Sequence, residues 1–263
     1  MAWQNPFLAD LEAGRPSIGS WVSTAEPLWA EVIARAGFDH VLVDLQHGTT
    51  ELGTLGPVLQ AILAGGSAGI VRVPSNEAAI IGKALDLGAL AIVVPLVESA
   101  EAAASAVAAC RYPPAGHRSA GPLRPNLLMG SDAMSDLERV GCIVMVETAV
   151  GLARVEEIAA VEGLTGIYVG PGDLAISLGM SPYPDRRTAR EASRHADAVE
   201  TIRRTCGANG IAAGIFVGEG DRAREYLDAG FRIVTASIDY SLIEVGSRRD
   251  LDAARASQGR TGS

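Results

Sequence analysis

The strongest constraint on this chain is an alternation: short apolar runs of strand length, each followed by a stretch of helical period. The apolar runs cover residues 18–22, 40–44, 68–73, 90–94, 143–146, 166–169, 211–217 and 231–236. Helical patterns lie between and after them, at 27–36, 52–63, 76–87, 99–109, 150–160, 174–178, 188–206, 221–227 and 237–256. Gly37 and Gly88 close two of the helices, and Pro74 and Pro95 stop two of the strands. Helical crossovers join parallel strands, because an antiparallel pair needs only a hairpin. Eight such units in about 250 residues predict a closed (β/α)8 barrel. Residues 1–256 then form one domain with a lead-in helix at 5–13, and 257–263 form a disordered polar tail. An open doubly wound sheet is the alternative, but no Gly-x-Gly-x-x-Gly follows the first strand. Two segments break the alternation. Residues 111–124 are rich in proline and glycine and predict a long loop, with a short helix at 132–140 beyond it. Residues 180–187 read as a polar insertion.

Composition narrows the function classes. Hydrophobic residues make up 48% of the 263, enough for a sizeable core. A net charge of −9 argues against nucleic acid and against an anionic membrane surface. No apolar run is long enough to span a bilayer, and the first residues lack the basic-then-apolar pattern of a signal peptide. Cys110, Cys142 and Cys206 are odd in number and far apart, which points to reduced thiols and a cytoplasmic protein. Lys83 is the only lysine and falls inside a helical pattern. Schiff-base chemistry needs a lysine at the reacting centre, so carbonyl chemistry in this chain calls for a metal ion.

Barrel enzymes carry their chemistry at the carboxyl ends of the strands. Here that edge holds Asp44 and His47 after the second strand, Arg72 on the third, Glu147 after the fifth and Asp173 after the sixth. Neighbouring strands lie about 4.8 Å apart, so Glu147 and Asp173 are placed to share one magnesium or manganese ion through hard oxygen ligands. The plainer reading makes one a strand-end glutamate and the other a helix cap. His47 lies in a turn, which suits a general acid/base with Asp44 to orient it; a lone histidine is otherwise a core or surface residue. Arg72 closes an apolar strand, and serves there either as a structural partner for a carboxylate or as a cradle for a developing oxyanion. The Gly170-Pro171-Gly172-Asp173 turn opens a helix whose N–H groups suit a carboxylate. His40, His117 and His195 read as structural or solvated.

Four segments in order, Val43-Asp44-Leu45-Gln46-His47-Gly48, Val71-Arg72-Val73-Pro74, Val146-Glu147-Thr148 and Gly170-Pro171-Gly172-Asp173-Leu174, resemble the metal-dependent (class II) pyruvate aldolases of the HpcH/HpaI family. Asn5-Pro6-Phe7 and the run from Tyr112 to Arg118 fit as well. The resemblance implies a (β/α)8 barrel whose last helix swaps between subunits, in a homo-hexamer built as a trimer of dimers. It implies a divalent ion (magnesium, manganese or cobalt) on Glu147 and Asp173, with pyruvate or another 2-oxo acid and an aldehyde as substrates. His47 and Asp44 would be the acid/base pair, Arg72 would stabilise the enolate, and the backbone of Gly172 and Asp173 would hold the substrate carboxylate. Asp86 matches an aspartate that partners the histidine across a subunit contact. The chain departs from the family pattern at Met145, where several members carry glutamine, and at Ser119 and Gly172. The expected reaction is reversible cleavage of a 4-hydroxy-2-oxo acid. The aldehyde pocket is expected from residues 111–124, the 180–187 insertion and a neighbouring subunit. The rivals are a lyase acting on a coenzyme A thioester, as in the citrate-lyase and malyl-coenzyme A groups, and a non-catalytic barrel that binds a keto acid.

Overall fold

The computed structural model describes residues 4–129 and 134–258. In chain order, α1 (Pro6–Glu12) leads to β1 (Ser17–Val22), α2 (Pro27–Arg35), β2 (His40–Asp44), α3 (Leu52–Gly65) and β3 (Ala68–Arg72). Then come α4 (Ala78–Asp86), β4 (Ala91–Val94), α5 (Ala100–Cys110), and the short α6 (Leu123–Met129) and α7 (Met134–Leu137). β5 (Gly141–Val146), α8 (Ala149–Ala153), α9 (Val155–Ala159), β6 (Gly166–Val169) and α10 (Pro171–Ser177) follow. The chain ends with α11 (Ala189–Ala208), β7 (Ala212–Phe216), α12 (Gly220–Asp228), β8 (Ile233–Ile238) and α13 (Asp239–Gln258). All eight strands pair in parallel in sequence order, and β8 returns to β1, so the sheet is the expected closed barrel.

Period-two alternation in the strands builds two apolar layers. In β2, Val41 and Val43 face the helices while Leu42 faces the lumen; in β5, Val144 and Val146 face out while Ile143 and Met145 face in. Ile70, Val93, Tyr168 and Ile233 join the inner layer. Each fully buried aliphatic or aromatic side chain contributes about 1.5–3 kcal/mol. The lower mouth is closed by Phe7 and Leu11 of α1. Asn5 caps that helix by accepting from the N–H of Phe7, and its amide donates to the carbonyls of Leu90 and Arg139. This explains why the lead-in helix docks.

Several boundaries differ from expectation. The helix at 150–160 is two pieces meeting at Arg154. The helix expected at 174–178 starts at Pro171, because proline at the first helical position carries a φ already suited to the turn. The 111–124 loop ends where α6 begins at Leu123. Of the helix expected at 132–140, α7 is helical, residues 138–140 are not, and residues 132–133 lie outside the described residues. α13 runs past 256 to Gln258, so the expected tail is helical at its first two positions; 259–263 lie outside the described residues. Tyr240, Leu242, Ile243, Val245 and Leu251 of α13 remain exposed. No helix of the described residues is long and apolar enough to cross a membrane.

Candidate active site

The lumen parity that buries Leu42, Ile70 and Met145 also aims the next alternate residues inward at the upper mouth: Asp44, Arg72 and Glu147. The β2–β3 register places Asp44 directly beside Arg72. Their side chains form a forked pair, Nε to Oδ1 at 2.8 Å and Nη2 to Oδ2 at 2.7 Å, with Asp44 2% and Arg72 6% exposed. Above it lies Trp21, whose ring centroid is 4.6 Å from the guanidinium carbon. Burial pushes the Asp44 carboxyl up, but Arg72's hydrogen bonds and charge, with the N–H of Gln46, outweigh it and hold the group below the ordinary range. The structural-partner reading of Arg72 is met. Two of its nitrogens serve Asp44, and it still lines the cavity above.

Asp44 does not orient the His47 ring. Its Oδ1 accepts from the backbone N–H of Gln46 (3.0 Å) and of His47 (3.4 Å), so it shapes the turn that carries the histidine. The next residue must be glycine, because a Cβ at Gly48 would run into the carbonyls of Asp44 and Ser23. The His47 side chain is exposed at the cavity rim, and no hydrogen bond reaches its ring among the described residues.

Glu147 is 2% exposed. Its Oε1 accepts from the N–H of Leu96 at 2.9 Å; its Oε2 is buried with no partner. Leu96 holds that position with φ 55°, a left-handed conformation unusual for a branched side chain. Burial pushes the Glu147 carboxyl above its ordinary range; the Leu96 N–H opposes this, and the charge of Asp173 adds to it. A Cβ at Gly170 would strike Oε2, so the carboxylate also explains that glycine. Asp173, in the first turn of α10, is exposed on the cavity wall. An orphaned buried carboxylate oxygen with a second carboxylate beside it is a donor set suited to a hard divalent cation. No group of three or more histidine, cysteine or acidic side chains suited to a metal occurs among the described residues, so such an ion would keep most of its shell for substrate and water. Gly170, which lies against both Glu147 and Met145, lines the cavity, as does Met145.

The cavity encloses about 760 Å³. Within this chain none of residues 111–124 lines it, whereas Pro182, Pro184 and Arg187 of the insertion do. Asp86 is not brought to His47. It lies at the end of α4, ion-paired to Arg118 at 2.9 Å, and that arginine stacks on Tyr112. Lys83 is exposed on α4, outside the barrel.

Sequence reasoning missed Trp21 and Leu96, since neither residue type announces a contact made between nearby strands. His195 is structural, one of the two readings given for it: burial lowers its pKa, and Nε2 donates to the Pro171 carbonyl at 2.9 Å, tying α11 to the start of α10. His40 is a core residue, hydrogen-bonded to Ser17 and held by burial at a pKa of about 3.

Comparison with known proteins gives three findings. The family model described as HpcH/HpaI aldolase/citrate lyase matches residues 17–244. A hydroxypyruvate/pyruvate aldolase of Rhizorhabdus wittichii is 38% identical over 244 residues, covering 92% of this chain and 96% of that one; a 5-keto-4-deoxy-D-glucarate aldolase of Klebsiella pneumoniae subsp. pneumoniae is 35% identical over 252 residues, covering 95% and 96%. Among solved structures, an HpcH/HpaI aldolase/citrate lyase family protein from Burkholderia cenocepacia J2315 superposes with a TM-score of 0.86 at 32% identity, over 96% of this chain and 100% of that one.

Proposed function

The chain belongs to the HpcH/HpaI aldolase/citrate lyase family, and from that premise we propose how its upper mouth cleaves a 4-hydroxy-2-oxo acid into pyruvate and an aldehyde. The protein is a carbon–carbon lyase of the aldolase type. The observation that carries the site assignment is the unpartnered Oε2 of Glu147, buried beside Gly170 and next to Asp173. Those two carboxylates would hold a divalent cation (magnesium, manganese or cobalt), which when bound draws electron density from the keto group of the substrate.

The remaining work falls to the chain's own groups. Arg72 faces the charge that develops on the keto oxygen as the carbon–carbon bond breaks, and Asp44 keeps the guanidinium fixed, so little reorganisation is needed at that moment. The N–H groups of Gly172 and Asp173, in the first turn of α10, have no partner inside the helix and suit the substrate carboxylate. His47 removes the proton from the hydroxyl at the bond being cleaved, and returns it when the reaction runs towards synthesis. Asp86 reaches a histidine only if it is the histidine of another subunit. The exposed apolar side chains of α13, together with Leu28, Trp29 and Val32 of α2, support a homo-oligomer, which the family resemblance would make a trimer of dimers with α13 exchanged. Three buried, unpaired cysteines are in keeping with a cytoplasmic protein.

Exchange of pyruvate methyl hydrogens for deuterium tests this reading without knowledge of the aldehyde. EDTA should abolish exchange and manganese or magnesium should restore it. Exchange at full rate in metal-stripped protein would end the assignment.

A further inference from the structure

His195 lines the cavity beside Pro171, Gly172 and Asp173, and the chemistry above leaves it unused. It is 7% exposed on α11, a helix anchored to the barrel through the buried Ile202 and Cys206. Its Nε2 lies 2.9 Å from the Pro171 carbonyl oxygen. A carbonyl can only accept, so Nε2 carries the proton. That carbonyl and the N–H of Gly172 belong to one peptide unit. A trans peptide is planar, so its C=O and N–H point in opposite directions and cannot turn separately. Holding the oxygen therefore aims the N–H. A hydrogen bond accepted by the oxygen also polarises the unit and makes that N–H a stronger donor. Local sequence leaves the plane in need of such a hold. Glycine at 172 gives it freedom on one side, and a Cβ there would meet no atom within 4 Å. The helix has only seven residues, too few to be rigid by itself. Its far end is tied by the Ser177 hydroxyl, which accepts from the N–H of Ala149 at 2.8 Å; His195 ties the near end. Glu147 points independently to a ligand at this turn, because its buried, unpartnered Oε2 lies against Gly170, the cap residue of the same helix.

We propose that His195 is a positioning residue: by hydrogen-bonding the Pro171 carbonyl it sets the Gly172 N–H against the carboxylate of the 2-oxo acid, without touching the substrate itself. This rests on the aldolase reading above and adds a residue to it. The test uses the manganese-loaded protein and two readouts. One is calorimetric affinity for oxamate, which matches pyruvate in shape but carries an amide nitrogen in place of the methyl carbon. The other is kcat and KM for pyruvate methyl exchange. His195→Ala should raise the oxamate Kd and the pyruvate KM together by about tenfold, as expected when a charge-assisted hydrogen bond is misaimed. Because the carboxylate is held alike before and during reaction, kcat should change less than about twofold, and so should manganese affinity. His195→Gln, whose amide can donate from near the position of Nε2, should recover most of the loss. Adding Gly172→Ala to His195→Ala should recover part of it, since alanine restrains the same peptide plane. Where the alanine variant does not fold, His195→Leu fills the space without a donor and carries the same expectation. Unchanged oxamate affinity and KM in the variants lacking a donor would overturn the proposal. So would His195→Gln as impaired as His195→Ala, or losses in kcat and manganese affinity as large as the rise in KM, the mark of a general loosening. Absence of deuterium exchange in the unmodified protein would instead strike at the aldolase reading.

Discussion

Glu147→Gln tests the central assignment because it should separate stability from function. The side chain keeps its size, and its remaining carbonyl oxygen can still accept from Leu96. What disappears is a negative charge whose Oε2 is buried without a partner. An unsatisfied buried group costs about 1–3 kcal/mol, and more when charged; part of that remains as an unpaired amide. The metal-free variant should therefore be about 1–2 kcal/mol more stable than the parent near pH 7, a rise in Tm of roughly 2–4 °C per kcal/mol for a domain of this size. The pH dependence follows from the raised carboxyl. Below the ordinary value of 4.5 the acid is neutral in both folded and unfolded chains, and parent and variant should differ least. As pH climbs through the raised folded value the parent alone acquires a buried charge, and the gap should open and then level off. The assay is urea unfolding in EDTA from pH 4 to 8, repeated with manganese. The parent should gain RT ln(1 + [L]/Kd) from the ion, and the variant should gain almost nothing. A variant less stable than the parent at every pH, or one stabilised equally by manganese, would refute the reasoning.

Three further outcomes are expected. Asp44→Asn should cost about 3–5 kcal/mol in urea unfolding, because it leaves the Arg72 charge buried without its counter-charge; since the Asp44 carboxyl lies below its usual 3.8, the parent's advantage should be full above that value and fade as pH falls through the lowered one. His47→Ala should reduce kcat for aldol cleavage about 10²- to 10⁴-fold while leaving manganese stabilisation in a thermal melt intact, and unchanged turnover would remove its acid/base role. Gly170→Ala should abolish the manganese-induced rise in Tm, since the added methyl group occupies the position of Glu147 Oε2; a retained rise would place the ion elsewhere.

The barrel and the polar edge of its mouth are legible in the order of residues, and the reason is periodicity. Apolar runs separated by helical patterns leave few topologies open, and period two within each run decides which side chains enter the lumen. Asp44, Arg72 and Glu147 share the parity of Leu42, Ile70 and Met145, so their convergence is written in the chain. The pairing between them is not. That Asp44 spends both oxygens on Arg72, and only backbone contact on His47, depends on a strand register that aligns residues 28 positions apart. Leu96 reaches Glu147, and Trp21 covers Arg72, because parallel pairing sets the ends of β4 and β5, and of β1 and β3, close together at one mouth. Asp86 is another pairing of this kind: within the chain, α4 carries it to Arg118, 32 positions away. Local sequence determines what each strand and helix can bury. Which charges meet across the mouth is settled by strand register and barrel closure, through contacts too distant along the chain for any local pattern to encode.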